Sequence, residues 1–478
     1  MGDIKTRINI IIFITFFSFF ILYLLNYNIQ SMDEIWCYGF SYRFAEGYIP
    51  YKDFNIVVTP IFLVLGSYFS HSLFLFRVFG ALLSACIILL TITICNKNNV
   101  DRTIIWFLVL INTLLLMQIP YATYNLLMLI GLMISYIFAD KFFATLDPKG
   151  ALNFGLCLAF TMLIKQNIAF LLIVTFFFLL LYLWVGKMIS YRAFSLYSLG
   201  VLIPIFIFVL FLIFSGSFIQ FVDYSILGLV SFSGLHNYQQ GLQYIILICL
   251  LGAIFIAINA VYSKTDRLNI TSTLLFCVCS FGIVVPLMDW YHTLLLLILY
   301  IPISSLLLNK IVVPHRTYSR VIVGVLVLGI MGISYSSLLI KKEGFIRSKI
   351  YPYTGIYISK AIENNLSEVS NYIMINEKKG LDVAIIDGTA YMYNLAAGDY
   401  NGVIDLLNIG NLGTINDEEI NSIINTKDII LASKNYKWQD ISMFKEYVSL
   451  NFVEIGTIGD KLIFMNPKSC KSVSTASN

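Results

Sequence analysis

Long apolar stretches dominate the first 340 residues of the chain and stop abruptly after them. A helix needs about 20 apolar residues to cross the hydrocarbon core of a bilayer. That rule places spans near 8–28, 73–95, 102–119, 121–139, 150–164, 168–186, 193–214, 241–262, 269–286, 292–309 and 319–340, eleven in all. Residues 102–139 and 150–186 are each nearly continuous apolar runs. As single helices they would be roughly 55 Å long against a core of about 30 Å. Each is therefore expected to turn back, the first at Pro120 and the second around Lys165-Gln166-Asn167. The run 8–25 follows Lys5 and Arg7, as a signal peptide would. It ends in Asn26, Tyr27 and Asn28 with no small-residue cleavage site, and so reads as an uncleaved first span.

Beyond residue 340 the pattern changes to that of a small water-soluble α/β unit. Ile358, Ala361, Ile362 and Leu366 lie at helical spacing within 353–378. Val383-Ala384-Ile385-Ile386, Ile429-Ile430-Leu431-Ala432 and Leu462-Ile463-Phe464 read as short buried strands. The fold expected is thus an α-helical polytopic membrane protein over 1–340, with a long loop at 29–71, followed by an α/β domain over 341–478. The last residues, Ser472 to Asn478, are small and polar and are expected to be disordered.

Charge sharpens the division. Of the 478 residues only 12% are charged, about half the usual share of a soluble chain, and mean hydropathy is +0.83. Residues 1–340 hold 28 of the 58 charges, and the much shorter tail holds the other 30. The net charge is +6 in the first part and −2 in the tail, and neither has the concentrated basic face that nucleic acid binding needs. The cysteines sit mostly inside apolar runs with no CxxC pair, as small packing residues do.

Sidedness follows from the loop charges. With the N-terminus in the cytoplasm, 13 of the 17 basic residues before position 341 fall on the inner side; only Arg43, Lys52, Arg77 and Lys165 fall outside. A single crossing by 150–186 would turn the seven basic residues from Lys187 to Arg320 outward, against the positive-inside rule. Asp33, Glu34, Glu46, Asp53, Asp223 and Asp289 then lie on the outer side. So does the tail, because the number of spans is odd. The expected location is a bacterial inner or plasma membrane, crossed many times, with the C-terminal domain extracytoplasmic.

The outer loop 29–71 carries the candidate chemistry. Asp33-Glu34 follow the first span directly, and aromatic residues alternate with acids through Glu46-Gly47-Tyr48-Ile49-Pro50-Tyr51-Lys52-Asp53-Phe54. A carboxylate near the lipid surface is partly desolvated and its pKa tends upward, which suits a general base. The same two acids also suit the solvated end of a helix, and periodicity alone leaves both readings open. Lys165 stands at a tight turn between two apolar spans, where an ammonium needs either an anionic partner or a route to the headgroups. His292 lies at the outer start of the tenth span with Asp289 three residues earlier, so it pairs with that acid or faces a ligand.

These residues together resemble the C-type (GT-C) glycosyltransferases, and are most similar to the branch containing protein O-mannosyltransferases and the lipid A aminoarabinose transferases. The residues that carry the resemblance are Asp33-Glu34, Gly47 through Phe54, Pro60, Arg77, Lys165-Gln166-Asn167 and Tyr291-His292. It implies an inverting transferase that moves a sugar from a polyprenyl (undecaprenyl) phosphate to a glycan, lipid or protein acceptor outside the membrane. Carried over by position, it implies Asp33 as the base on the acceptor hydroxyl, Glu34 as a second acid there and Asp53 as the alternative acid. Lys165, His292, Arg43 and Arg77 would stabilise the leaving lipid phosphate, where negative charge develops as the anomeric bond breaks. Gln166, Tyr291 and Tyr51 would bind substrate. No cofactor is expected and no metal: there is no DxD or HExxH, and His71, His236, His292 and His315 are scattered.

Two other classes compete. A polysaccharide polymerase or ligase would want basic residues in a long late outer loop, yet residues 215–240 hold only Asp223 and His236. A lipid-linked-glycan transporter or flippase would want a site near the bilayer midplane and repeated halves. The sequence has no repeat, and its ionisable residues gather at the outer ends of spans.

Overall fold

The computed structural model describes residues 2–25, 29, 32–119, 121–228, 267–284, 289–312, 344–386, 389–398, 417–434 and 442–469. The apolar runs fold into helices α1 (Gly2–Leu25), α4 (Leu73–Lys97), α5 (Arg102–Gln118), α6 (Tyr124–Thr145), α7 (Pro148–Met162), α8 (Gln166–Val185) and α9 (Tyr191–Ser215). After the short α10 (Phe218–Phe221) come α11 (Arg267–Ser280) and α12 (Trp290–Val312). Five of them, α1, α4, α6, α8 and α9, are long and apolar enough to cross a membrane, and α5, α11 and α12 are shorter apolar helices. The chain is thus an integral membrane protein. Both long apolar runs break where a bilayer-length helix must end: α5 gives way to α6 between residues 118 and 124, and α7 to α8 at Leu163–Lys165. The spans expected at 241–262 and 319–340, with His236 and His315, lie outside the described residues.

Packing between the helices relies on small residues and on a few polar clamps. Gly155 of α7 and Gly200 of α9 let the two backbones touch, since a Cβ on either would lie within 2.5 Å of a carbonyl oxygen of the other helix. Asn112 of α5 donates to Thr91 Oγ1 of α4 (2.9 Å) and to the Ile298 carbonyl of α12 (3.2 Å), joining three helices by one buried amide. At the far ends of α4 and α6, Lys97 pairs with Asp140, which also accepts from Asn269 Nδ2 of α11 at 2.8 Å.

The loop after α1 is mostly helical, which the alternation of acids and aromatics had not suggested. It forms α2 (Met32–Ala45), a tight turn over Gly47–Phe54, and α3 (Ile61–Ser67) after Pro60. Asp33 and Glu34 stand in the first turn of α2, where carboxylates favour the positive end of the helix dipole.

The C-terminal unit begins with the antiparallel pair β1 (Phe345–Arg347) and β2 (Tyr357–Ser359) and continues into α13 (Lys360–Glu377), capped by Ser359. Its main sheet has the order β3 (Val383–Ile385), β4 (Ile429–Ser433), β6 (Lys461–Met465), β5 (Val453–Ile458), with only the β3–β4 pair parallel. The strand β5 was not evident in the sequence: it is an edge strand with exposed Val453 and Ile455, and a bulge at Gly456 (φ +155°) interrupts its alternation. The short α14 (Ala390–Ala397) carries Tyr391, fully buried against α2.

The C-terminal unit clamps the loop helices onto the span ends. Tyr351 Oη donates to the His71 carbonyl (2.8 Å), Leu73 N to the Pro352 carbonyl (3.1 Å) and Ile29 N to the Tyr357 carbonyl (3.3 Å). Tyr391 packs edge-on against Phe40 and sits over Gly39, where an added Cβ would lie 2.3 Å from its ring. Gly39→Ala is therefore expected to push α2 off this unit and cost about 1–3 kcal/mol, read as an earlier melting transition of the purified protein.

Candidate active site

Four helix starts converge at the end of the bundle where α1 finishes, and their first residues build one polar recess. The start of α2 contributes Asp33, the start of α6 Thr123, Tyr124 and Asn125, the α7–α8 turn Lys165, and the start of α12 Asp289, Tyr291 and His292. Helix starts expose unpaired N–H groups and the positive end of the dipole, so this arrangement favours an anion.

Lys165 is the centre of the recess. Its Nζ donates to Asn125 Oδ1 at 2.9 Å and lies over the Tyr124 ring, 5.7 Å from the centroid. Asn125 Nδ2 in turn donates to Tyr291 Oη (3.4 Å), which also pairs with Thr123 Oγ1 (3.1 Å) and stacks on Tyr121. Burial lowers the ammonium to a pKa of about 8, opposed by the nearby charges of Asp289 and Asp33. Asp33 is reached by solvent, yet protein crowds it closely enough that burial raises its carboxyl above the usual range. Asp289 adds to that rise, and Lys165 works against it. A solvent-reached acid with a raised pKa facing a lysine with a lowered one is a geometry suited to moving a proton beside an anion.

Asp289 and His292 form a fixed pair. One carboxylate oxygen of Asp289 meets both the His292 backbone N–H (2.7 Å) and its Nδ1 (2.8 Å). Burial pushes the Asp289 carboxyl up, but these His292 contacts and the Lys165 charge outweigh it and hold the group below its ordinary value. With Nδ1 donating to Asp289, the Nε2 of a neutral ring is an acceptor. His292 can therefore donate to a phosphate from Nε2 only as the imidazolium.

Several residues singled out in the sequence are placed elsewhere, each for a physical reason. Glu34 does not join Asp33. It is 1% exposed and holds Arg77, also 1% exposed, through two hydrogen bonds of 2.7 and 2.8 Å to the guanidinium. Arg77 donates as well to the Leu24 carbonyl (2.9 Å), so this pair locks α4, α2 and the end of α1 together and leaves neither group for a substrate. Neighbours on a helix point about 100° apart, which is why adjacent acids part company. Arg43 is buried on the Asp53 carbonyl (3.1 Å) and Tyr391 Oη (3.4 Å), with Tyr48 and Phe54 rings beside it. The Asp53 carboxylate accepts from Ile49 N (2.7 Å) inside the Gly47–Phe54 turn. Tyr51 is buried at that turn with φ +69°, donating to the Val58 carbonyl. Gln166 Nε2 donates to the carbonyls of Val57 (2.7 Å) and Ser225 (2.9 Å) and so ties the loop to α8. These six side chains shape the site from behind.

Sequence reasoning missed Asn125 and Thr123. Thr123 caps α6 by accepting from Leu126 N, and a Thr before an apolar run is a helix-start signal that the sequence does carry. Among the described residues no group of three or more His, Cys, Asp or Glu side chains lies close enough to hold a metal ion.

No family model matches the sequence, and no curated protein matches it. The structure is similar to that of ArnT from Cupriavidus metallidurans bound to undecaprenyl phosphate. The TM-score is 0.55 at 10% identity, and the match covers 96% of this chain and 98% of that one. A likeness at that identity is one of fold, and it runs through the membrane helices and the C-terminal unit alike. The chain has the fold of a GT-C glycosyltransferase, the lipid A aminoarabinose transferase ArnT, as the loop residues around Asp33 led one to expect.

Proposed function

We propose that the protein is an inverting glycosyltransferase that takes a sugar from undecaprenyl phosphate and gives it to an acceptor outside a bacterial membrane, in cell-envelope glycan or glycolipid assembly. The observation that carries this reading is the meeting of Asp33 and Lys165 in one recess at the membrane edge. The fold adds support, because the similar protein ArnT was solved with undecaprenyl phosphate bound.

The reaction assigns a task to each group. The acceptor hydroxyl attacks the anomeric carbon from the side opposite the phosphate, and its proton passes to Asp33. The bond from the anomeric carbon to the phosphate oxygen breaks, the electron pair stays on that oxygen, and the lipid phosphate leaves with one more negative charge. Lys165 meets that charge, held in line by Asn125. Asp289 holds His292 beside the same charge, and Tyr291 anchors Asn125.

The pH dependence follows from the two shifted groups. Asp33 works deprotonated, so kcat/KM rises as pH climbs through its raised value. Lys165 works protonated, so kcat/KM falls again as pH passes about 8. The Lys165→Arg variant keeps its charge at higher pH, so its alkaline limb moves up. An alkaline limb unchanged by Lys165→Arg would remove Lys165 from the phosphate.

Binding tests the donor side without turnover. Undecaprenyl phosphate titrated into the protein in nanodiscs is expected to bind about tenfold or more weakly to Lys165→Met, the worth of one charge-assisted hydrogen bond. Equal binding by Lys165→Met would contradict the assignment.

A further inference from the structure

On the other side of α2 from Asp33 lies a second concavity that the transfer chemistry does not use. It has a volume of about 500 Å³, within the roughly 300–1,000 Å³ of small-ligand sites. Tyr42 and Glu46 at the end of α2, Tyr351, and Ser367, Ser370 and Asn371 of α13 supply its polar wall. The small residues Ala396, Ala397 and Gly398 at the end of α14 also line it. Tyr42 stands nine residues from Asp33, about two and a half turns along the helix, which puts it on the opposite face and about 13 Å along the axis. The cleft and the Asp33 recess are therefore separate openings on one helix.

Its chemistry is selective. Among the described residues no basic one lines it, and the single charged side chain there is Glu46, which is exposed. Among these residues an anionic ligand would meet a carboxylate and no cation. Tyr351 is 57% exposed, yet its hydroxyl is fixed on the His71 carbonyl, so its ring is a held, open platform. Aromatic faces stack on the C–H faces of sugar rings, while hydroxyl, amide and carboxylate groups pair with sugar hydroxyls and amines.

We infer that this cleft binds a sugar chain that carries no acidic group, with Tyr351 and Tyr42 against the ring faces and Glu46, Ser367, Ser370 and Asn371 on its hydroxyls or amines. An amine-bearing sugar gains a charge-assisted bond to Glu46 that a neutral one lacks. The inference is independent of the transfer reaction, since it concerns neither Asp33 nor Lys165.

The test is binding of three tetrasaccharide probes to the full-length protein in nanodiscs with no donor added: chitotetraose, its fully de-N-acetylated form, and tetragalacturonate. The expected order is de-N-acetylated first, chitotetraose second, with tetragalacturonate unbound. Glu46→Gln is expected to weaken only the amine-bearing probe, by about tenfold. Asn371→Ala is expected to weaken both non-acidic probes, with melting temperatures unchanged for these surface positions. Asp33→Asn, run beside them, is expected to bind all probes as the parent does. If tetragalacturonate binds as well as the others, if no probe binds, or if neither Glu46→Gln nor Asn371→Ala alters binding, the inference is overturned. A loss of binding in Asp33→Asn overturns it too, because it would place the sugar in the recess.

Discussion

Replacing Asp33 by Asn is expected to lower sugar transfer by about 10²–10⁴-fold, the usual contribution of a positioned general base. Asparagine keeps the size of the side chain but cannot take the acceptor proton. Because Asp33 is open to solvent at the first turn of α2 and asparagine matches it in size, the variant is expected to fold as the parent does. Donor binding should survive as well, since Lys165 and Asn125 are untouched. The loss would therefore appear in kcat with little change in the affinity for undecaprenyl phosphate. A comparable loss in donor affinity would mean that Asp33 acts on Lys165 as a counter-charge rather than on the acceptor.

The second large effect concerns stability. Arg77→Leu or Glu34→Leu alone leaves an uncompensated charge in a place that is 1% exposed, and each is expected to cost about 3–5 kcal/mol. Both variants should lose yield and melt early in detergent. The double variant Glu34→Leu/Arg77→Leu buries no charge and is expected to recover much of that loss, since buried ion pairs often do little better than apolar residues of similar volume. That pattern separates the two roles once open for Glu34. A second catalytic acid would show unchanged stability with lost turnover, and the double variant would be no better than Glu34→Leu.

The sequence made some of this legible because the membrane imposes simple rules. Span length divided 102–139 and 150–186, and the breaks fall where that division put them, with Lys165 in the second turn. Loop charge then gathered Asp33, Lys165, Tyr291 and His292 on one side, and in the structure they share one recess. The pairing of Glu34 with Arg77 was within reach too: two opposite charges in apolar surroundings are expected to satisfy each other. Reading adjacent acids as one site overlooked that helix neighbours face different ways. Other contacts had no local signal. Arg43 bonds to Tyr391, which is 348 residues away, and Gln166 to carbonyls in two distant segments. Such partners are fixed by how the C-terminal unit and the loop settle on the helices, and no spacing in the chain reports it. Asn125 is an uncharged residue at the head of an apolar helix. Its worth comes from Lys165, which lies 40 residues later, and from Tyr291, still further along the chain.

The most direct measurement of the central claim is turnover of a panel of radiolabelled undecaprenyl-phosphate monosaccharides by the purified protein in nanodiscs, with crude envelope as acceptor and Asp33→Asn alongside. The account predicts that one donor gives up its sugar with inversion at the anomeric carbon, and that Asp33→Asn leaves at most about one hundredth of that rate. Release from no donor, or release that Asp33→Asn leaves unchanged, would contradict it.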